Sequence, residues 1–249
     1  MKKIIALALI LVFAFAFVSC GDDAVVTTEA PVTTEAPVET TEAVEDNGVM
    51  SYADYAAADL DTPVVIEAYV QATQSWWDNK ITVYAADADG AYFIYEMACS
   101  EDEAALLTPG TKIIVTGYKG AWAGEVEVMD ATFAFVEGGD TYVAEPIDAT
   151  ALLGTEELIN YQNQLATFKG MTIEAIEYKN GEPGDDIYVT VSLGGASYSF
   201  CVERYLTGPE TDVYKAFAEL KAGDIVDIEG FIYWYEGVNT HITAVSAAQ

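Results

Sequence analysis

The residues best suited to contact a ligand are aromatic side chains that fall between predicted strands. Flat aromatic faces stack on sugar rings or on apolar peptide groups, and the polar neighbours Gln74 and Asn239 can supply directional hydrogen bonds. The pattern therefore favours a ligand-binding surface, although large rings are also used to close barrel ends or to pack two domains together. The ligand-binding candidates are Trp76, Trp77, Trp122, Tyr233, Trp234 and Tyr235.

The sequence offers little material for catalysis. It lacks the Gly-x-Ser-x-Gly, His-Glu-x-x-His and Cys-x-x-Cys motifs, and it has no phosphate loop. Its single histidine, His241, falls in a predicted strand, where a hydrogen-bonded structural role is favoured over a ligand role. We therefore expect no enzyme activity, no catalytic residue, no metal site and no cofactor.

Two acidic turns offer carboxylates that could bind a cation. Asp87, Asp89 and Glu96 match part of a calcium-loop pattern, but the first ligand position would be Ala85, so a plain turn is favoured. The segment 182–186 is a second acidic turn, which we expect to be solvated.

The balance of acidic and basic side chains indicates which kinds of partner the chain can bind. The chain of 249 residues has 41 acidic and 10 basic side chains, a net charge of −31, and Arg204 is its only arginine. Proteins that bind nucleic acid neutralise phosphates with Lys and Arg. The composition therefore predicts that nucleic acid is not a partner.

The N-terminal segment predicts export and anchoring. Lys2 and Lys3 precede an apolar run over 4–18, which is too short for a membrane-spanning helix and is typical of an export signal. Ser19-Cys20-Gly21 follows and resembles the lipobox of bacterial lipoproteins, although Phe17 stands where Leu is usual. We expect lipidation at Cys20 and an extracytoplasmic protein anchored to the bacterial cell membrane. The alternative is a plain secretory signal cut elsewhere.

Composition divides the chain further. Residues 1–20 are assigned to the signal and lipobox, and residues 21–49 to a disordered acidic spacer built on a repeated Thr/Glu/Pro hexapeptide. After it, residues 107–118 align without gaps on residues 220–231. Further matches upstream and downstream extend this alignment into a duplication.

Each copy reads as three strands, a short helix and two strands. In the first copy the strands are predicted at 63–75, 80–86, 91–97, 111–120 and 125–135. This is the strand order of the OB-fold, a small Greek-key barrel. The predicted fold class is all-β with short helices, as two tandem five-stranded OB-fold-like barrels, at 50–138 and 139–249.

Cys99 and Cys201 fall at non-equivalent positions of the two copies. Export permits a disulfide, but two cysteines in separate domains would need to meet closely, so two buried thiols are favoured.

The lipobox, the spacer and the segments 74–80 and 107–118 together resemble bacterial surface lipoproteins with repeated OB-like domains. The resemblance implies the architecture, no established activity and no functional residues. Two functions are left open. One is a lipid-anchored binding module that contacts a glycan, a peptide or an envelope protein through its aromatic loops. The other is a structural or assembly component of the cell envelope with no small-molecule ligand.

Overall fold

The computed structural model describes residues 48–248. The predictions on the export signal, Cys20 and the acidic spacer lie almost wholly outside the described residues and stay predictions. No helix within 48–248 is long and apolar enough to cross a bilayer.

The first copy forms a closed five-stranded barrel in the order β1-β2-β3-β5-β4. All neighbouring strands are antiparallel except β3 and β5, which are parallel, as in an OB-fold. Its elements are α1 (Tyr52–Ala57), β1 (Pro63–Thr73), β2 (Lys80–Ala86), β3 (Ala91–Ala98), α2 (Glu101–Ala104), β4 (Lys112–Trp122) and β5 (Glu125–Phe135).

The second copy repeats this topology. Strands β7, β8, β9, β11 and β10 pair in that order, and a β10–β7 pairing closes the ring. A two-residue strand, β6, lies parallel to the start of β7. The elements are β6 (Ile147–Asp148), β7 (Leu165–Tyr178), β8 (Ile187–Leu193), β9 (Ala196–Val202), α3 (Asp212–Glu219), β10 (Ile225–Phe231) and β11 (His241–Ala247). The predicted fold of two OB-like barrels is confirmed.

Local sequence explains these elements. In β1 the buried residues alternate from Val64 to Val70, so one face of the strand enters the barrel core. Helix α2 begins at a capping box in which Ser100 and Glu103 satisfy each other's backbone N–H groups. Thr211 caps α3 by accepting from the Tyr214 N–H.

A matched pair of glycines permits a close backbone approach in each barrel. A Cβ on Gly117 would lie 2.7 Å from the Met129 carbonyl oxygen, and one on Gly230 would lie 2.3 Å from the His241 carbonyl oxygen. These two glycines are equivalent in the repeat. Both copies therefore need glycine at the same point, where the fourth strand bends against the fifth.

The barrels share a buried aromatic contact, which we call the junction. Tyr84 and Phe93 of the first barrel pack with Phe231 of the second, and the rings of Tyr84 and Phe231 stack at 4.2 Å. Within residues 48–248 both barrels belong to one compact unit. Whether 50–138 folds independently of 139–249 stays a prediction.

The cysteines of the described residues are reduced. Cys99 and Cys201 are both buried and free. Burial raises the pKa of the Cys99 thiol to about 11, and burial also raises the pKa of Cys201. Both thiols are therefore protonated at neutral pH, as the favoured interpretation of the sequence expects.

Candidate functional site

The structure does not bring the six predicted aromatic residues together on one surface. Trp77 lines an open cleft, whereas Trp76 is half-buried against the first barrel and donates its indole N–H to the Cys99 carbonyl at 2.8 Å. Trp122 is exposed but does not line this cleft. The remaining three lie in the connection between β10 and β11, and they are Tyr233, Trp234 and Tyr235.

The separation has a physical cause in the hairpin between β4 and β5. Its carbonyl groups are used to hold the second barrel: Ala123 accepts from the Glu236 N–H at 2.7 Å, and Gly124 accepts from the Gln162 side chain at 2.6 Å. Trp234 also covers Gly124. The hairpin that carries Trp122 thus takes part in the contact between barrels.

A cleft of about 360 Å³ lies on the β2–β3 face of the first barrel. We call it the aromatic cleft. OB-folds use this face, with the connection between their first two strands, to bind ligands. Its lining residues are Gln74, Ser75, Trp77, Lys80, Ile81, Thr82, Tyr95, Glu96 and Tyr205.

A tight hairpin presents Trp77 to the cleft. Trp77 and Lys80 exchange two backbone hydrogen bonds of 3.0 Å. The two residues between them, Asp78 and Asn79, have φ angles of 49° and 60°. Two consecutive left-handed residues define a type I′ turn, for which Asp and Asn are well suited.

A charged pair lies beside the ring of Tyr95. Lys80 Nζ and Glu96 Oε2 are 2.7 Å apart, and this hydrogen bond raises the pKa of Lys80. Glu96 occupies a bulge of β3 with a φ of 44°, and its N–H donates to Thr82 Oγ1 at 3.1 Å. The left-handed conformation is unfavourable for a residue with a Cβ, so the surrounding contacts hold this side chain in place.

The second barrel supplies Tyr205. The Tyr205 carbonyl accepts from the Ser75 N–H at 2.7 Å, which ties this turn to the first barrel. The Glu203 carboxylate accepts from the N–H groups of Tyr205 and Leu206, at 3.1 and 2.9 Å. Burial raises the pKa of Glu203 to about 7, although these hydrogen bonds oppose the shift. The Arg204 guanidinium lies 4.9 Å from the centre of the Tyr205 ring.

Two rings of the cleft were missed from the sequence. Tyr95 is 43% exposed, and its outward position on β3 could have been read from strand alternation. Tyr205 follows the last strand of an antiparallel trio in the other barrel, and its contact with Ser75 spans 130 residues. No local pattern indicates that contact.

The acidic turns form no cation site. Asp87 Oδ1 accepts from the N–H groups of Asp89 and Gly90, each at 2.8 Å, as in an Asx turn. Asp186 pairs with Lys179 at 2.8 Å. Within the described part of the chain, no group of His, Cys, Asp and Glu residues could hold a metal ion.

Comparison with known proteins assigns the chain to no family. No family model matches it, and no curated protein matches it. Solved structures do align with it. The "Structure of murine DNA binding protein bound with ds DNA" aligns over 75% of this chain and 100% of its own, with 11% identity and a TM-score of 0.35. The "Crystal structure of Ifi202 HINa domain in complex with 20bp dsDNA" aligns over 75% and 96%, with 9% identity and a TM-score of 0.34. The structure "p202 HIN1 in complex with 12-mer dsDNA" aligns over 73% of this chain and 88% of its own, with 9% identity and a TM-score of 0.35.

These names correct the function predicted from the sequence. They refer to double-stranded DNA and to no glycan, peptide or envelope protein. The predicted ligand class, the structural alternative and the exclusion of nucleic acid are therefore not carried further. The description as a cell-surface lipoprotein also gains no support from them, while anchoring through Cys20 stays a prediction. At these TM-scores the likeness itself assigns no ligand to this chain.

Proposed function

We propose that the described part of the chain is a non-enzymatic binding module whose aromatic cleft takes a small planar heteroaromatic molecule without net negative charge. The observation that carries this proposal is the meeting of three exposed rings in one cleft. Trp77, Tyr95 and Tyr205 are 66%, 43% and 49% exposed. They come from three separate segments, so chain connectivity alone does not explain why they line the same space.

The size and lining of the cleft suit a small ligand. Ligand sites in proteins span about 300–1,000 Å³ and combine apolar walls with a few polar groups. The cleft lies near the lower end of that range at about 360 Å³. Its aromatic rings offer faces for stacking, while Gln74 and Thr82 offer hydrogen-bonding groups to the edge of a planar ring.

Electrostatics select the charge of the ligand. The chain carries a net charge of −31. Within the cleft the Lys80 ammonium is already paired with Glu96. An anionic ligand would therefore meet an unfavourable field and would have to compete for Lys80, whereas an uncharged ring or a cation would not.

The same pairing argues for binding without catalysis. Lys80 and Glu96 satisfy each other, and the Ser75 hydroxyl donates to the Tyr205 carbonyl at 3.1 Å. A nucleophile needs an adjacent base that is free to accept its proton. The contacts of these side chains are instead those of a fixed wall.

Isothermal titration calorimetry with adenosine as the probe tests the proposal. Adenosine should bind to the wild-type protein, and AMP, which adds a phosphate to the same ring system, should bind at least about tenfold more weakly. Trp77→Ala should abolish adenosine binding. Trp122→Ala is the matched control, because Trp122 is 64% exposed against 66% for Trp77 but lies outside the cleft.

Three results would overturn the proposal. The first is adenosine binding that survives Trp77→Ala, and the second is tighter binding of AMP than of adenosine. The third is an absence of adenosine binding to the wild type.

A further inference from the structure

A buried carboxyl group crosses the junction between the two barrels. Glu125, at the start of β5, is fully buried. Its Oε2 atom accepts a hydrogen bond of 2.8 Å from the backbone N–H of Trp234 in the second barrel. Its Oε1 atom is also buried and has no hydrogen-bond donor. Within residues 48–248, none of the ion pairs formed includes Glu125.

Asn163 presents a second unsatisfied oxygen at the same place. Its side chain lies within hydrogen-bonding reach of the Glu125 carboxyl. Its Oδ1 atom is buried and has no donor. Its Nδ2 atom donates to the Val126 carbonyl at 3.3 Å, and its own N–H donates to the Ile232 carbonyl at 2.8 Å.

The two unsatisfied oxygens cannot pair as a carboxylate and an amide carbonyl, because both are acceptors. With the Asn163 amide turned over, Nδ2 would donate to a Glu125 carboxylate, but Oδ1 would then face the Val126 carbonyl oxygen and the hydrogen bond to that carbonyl would be lost. Buried acceptors without donors are costly and rare in folded proteins. A single proton on Glu125 supplies the missing donor.

We propose that Glu125 is a neutral carboxylic acid that donates its Oε1–H to Asn163 Oδ1, and that this proton latches the two barrels together in a pH-dependent way. In the protonated state Glu125 accepts from Trp234 through Oε2 and donates to Asn163 through Oε1. Loss of the proton to solvent leaves a carboxylate whose Oε1 again faces an acceptor. The latch is therefore closed at low pH and weakened at high pH.

The surroundings of Glu125 favour the neutral form. Burial is the main cause that raises its pKa to about 8; hydrogen bonds from the Asn163 side chain and the Trp234 backbone N–H to the carboxylate oppose this shift, and Glu127 adds a smaller rise. The other titratable groups that face it are Tyr55 from α1, Tyr84 from β2 and Tyr233 from the β10–β11 connection, none of which is cationic. Lys119, on β4, donates its ammonium protons to the carbonyls of Tyr55, Ala56 and Ala58 instead.

The sign of the pH effect follows from the raised pKa. An acid whose pKa is higher in the folded state contributes stability below its ordinary pKa and loses it as the pH rises through the folded value. For Glu125 this window runs from 4.5 to about 8. Between about pH 6 and about pH 9, the equilibrium constant for unfolding should increase roughly 100-fold through this residue alone.

Chemical unfolding of the wild type and of Glu125→Gln across this pH range tests the latch. The glutamine amide can accept from Trp234 and donate to Asn163 without titrating, so the variant should fold. The ratio of the unfolding constant of the wild type to that of Glu125→Gln should increase roughly 100-fold over this range, because Glu203, whose pKa is also raised, affects both proteins equally. Glu127→Gln is the control, because Glu127 is also buried but lies outside the Trp234 and Asn163 contacts. It should keep most of the increase in the unfolding constant between about pH 6 and about pH 9.

Infrared spectroscopy of the wild type provides a test that needs no variant to fold. A protonated carboxyl gives a C=O stretch distinct from that of a carboxylate, and this band should persist at pH 7 and disappear above pH 8. In Glu125→Gln the Glu125 contribution to the band should be missing, whereas the contribution of Glu203, whose pKa is raised by burial to about 7, should remain at pH 7. Parallel unfolding curves for the wild type and Glu125→Gln, or no such band in the wild type at pH 7, would overturn the proposal.

Discussion

Tyr84 and His241 are hydrogen-bonded across the junction, through the phenol oxygen and Nδ1. The His241 ring also stacks on Tyr233 at 4.1 Å. Burial lowers the pKa of His241 to about 3, and burial raises the pKa of Tyr84 well above its usual value. The phenol is therefore the donor and the neutral imidazole the acceptor. His241 is the hydrogen-bonded strand histidine that the sequence predicted, and its partner belongs to the other copy.

The neutral histidine predicts a loss of stability in acid. Unfolded His241 takes up a proton near pH 6.5, whereas the folded ring does not until about pH 3. As the pH falls from about 6.5 to about 4, the wild type should lose roughly 3 kcal/mol through this residue. The measurement is urea unfolding of the wild type and of His241→Gln, and their difference isolates this effect. A difference that does not change with pH would contradict a buried neutral histidine.

Neighbouring tryptophans should differ in their effect on stability. Trp76→Ala removes a half-buried ring and its hydrogen bond to the Cys99 carbonyl, so it should destabilise the protein by about 3 kcal/mol. Trp77→Ala removes an exposed ring and should change stability by less than about 0.5 kcal/mol. Thermal unfolding of the two variants compares them directly. Equal losses would mean that both rings pack in the barrel.

Lys119 should stabilise the protein through backbone contacts. Its buried ammonium donates to three carbonyls at the end of α1, at 2.8 to 3.0 Å. Lys119→Met would remove this charged donor from all three carbonyls, of which only that of Tyr55 also accepts from the Ala58 N–H, and should cost about 2–3 kcal/mol. Lys169→Met is the control, because its pair with Asp148 is more than half exposed and should contribute less than about 1 kcal/mol. Similar unfolding midpoints for both variants would contradict the assignment.

The repeat predicts that two glycines are equally intolerant of a side chain. Gly117→Ala and Gly230→Ala would each bring a Cβ within 2.7 Å of a backbone carbonyl, and each should cost about 2 kcal/mol or more. Gly170 has a φ of 66° but open space around it, so Gly170→Asn should be nearly neutral. Denaturant unfolding measures all three variants. A tolerated alanine at either repeat position would mean that the strands can separate locally at no cost.

Local patterns predicted the strands within one or two residues of their observed ends, as β2 (80–86) and β5 (125–135) show. The contacts between copies were not predicted, because they join residues far apart in the sequence. One signal was present. The segment from Ile81 to Ala86 is apolar except for Thr82, which is typical of a strand buried on both faces. It could have indicated that β2 is covered by something outside its own barrel.

The residues of the aromatic cleft divide in the same way into those that local sequence indicates and those that are brought in by contacts distant in the sequence. Trp77 could be predicted as a ligand contact because it falls in the connection between the first two strands, which borders the ligand face of an OB-fold. Tyr205 could not be placed beside it, since its position depends on how the second barrel docks. That docking is fixed by a few distant pairs, such as Ser75 with Tyr205 and Glu125 with Trp234.

The junction joins unlike surfaces of the two barrels, and this limits how many barrels the same contact can join. Tyr84 and Phe93 stand on the first barrel where the repeat places Thr190 and Ser199 on the second. Such head-to-tail contacts can in principle propagate into open filaments. At these two positions the second barrel has small polar side chains, so the exposed Tyr118, which corresponds to Phe231, has no matching aromatic pair there on which to stack. The aromatic contact of the junction therefore joins one first barrel to one second barrel and does not propagate.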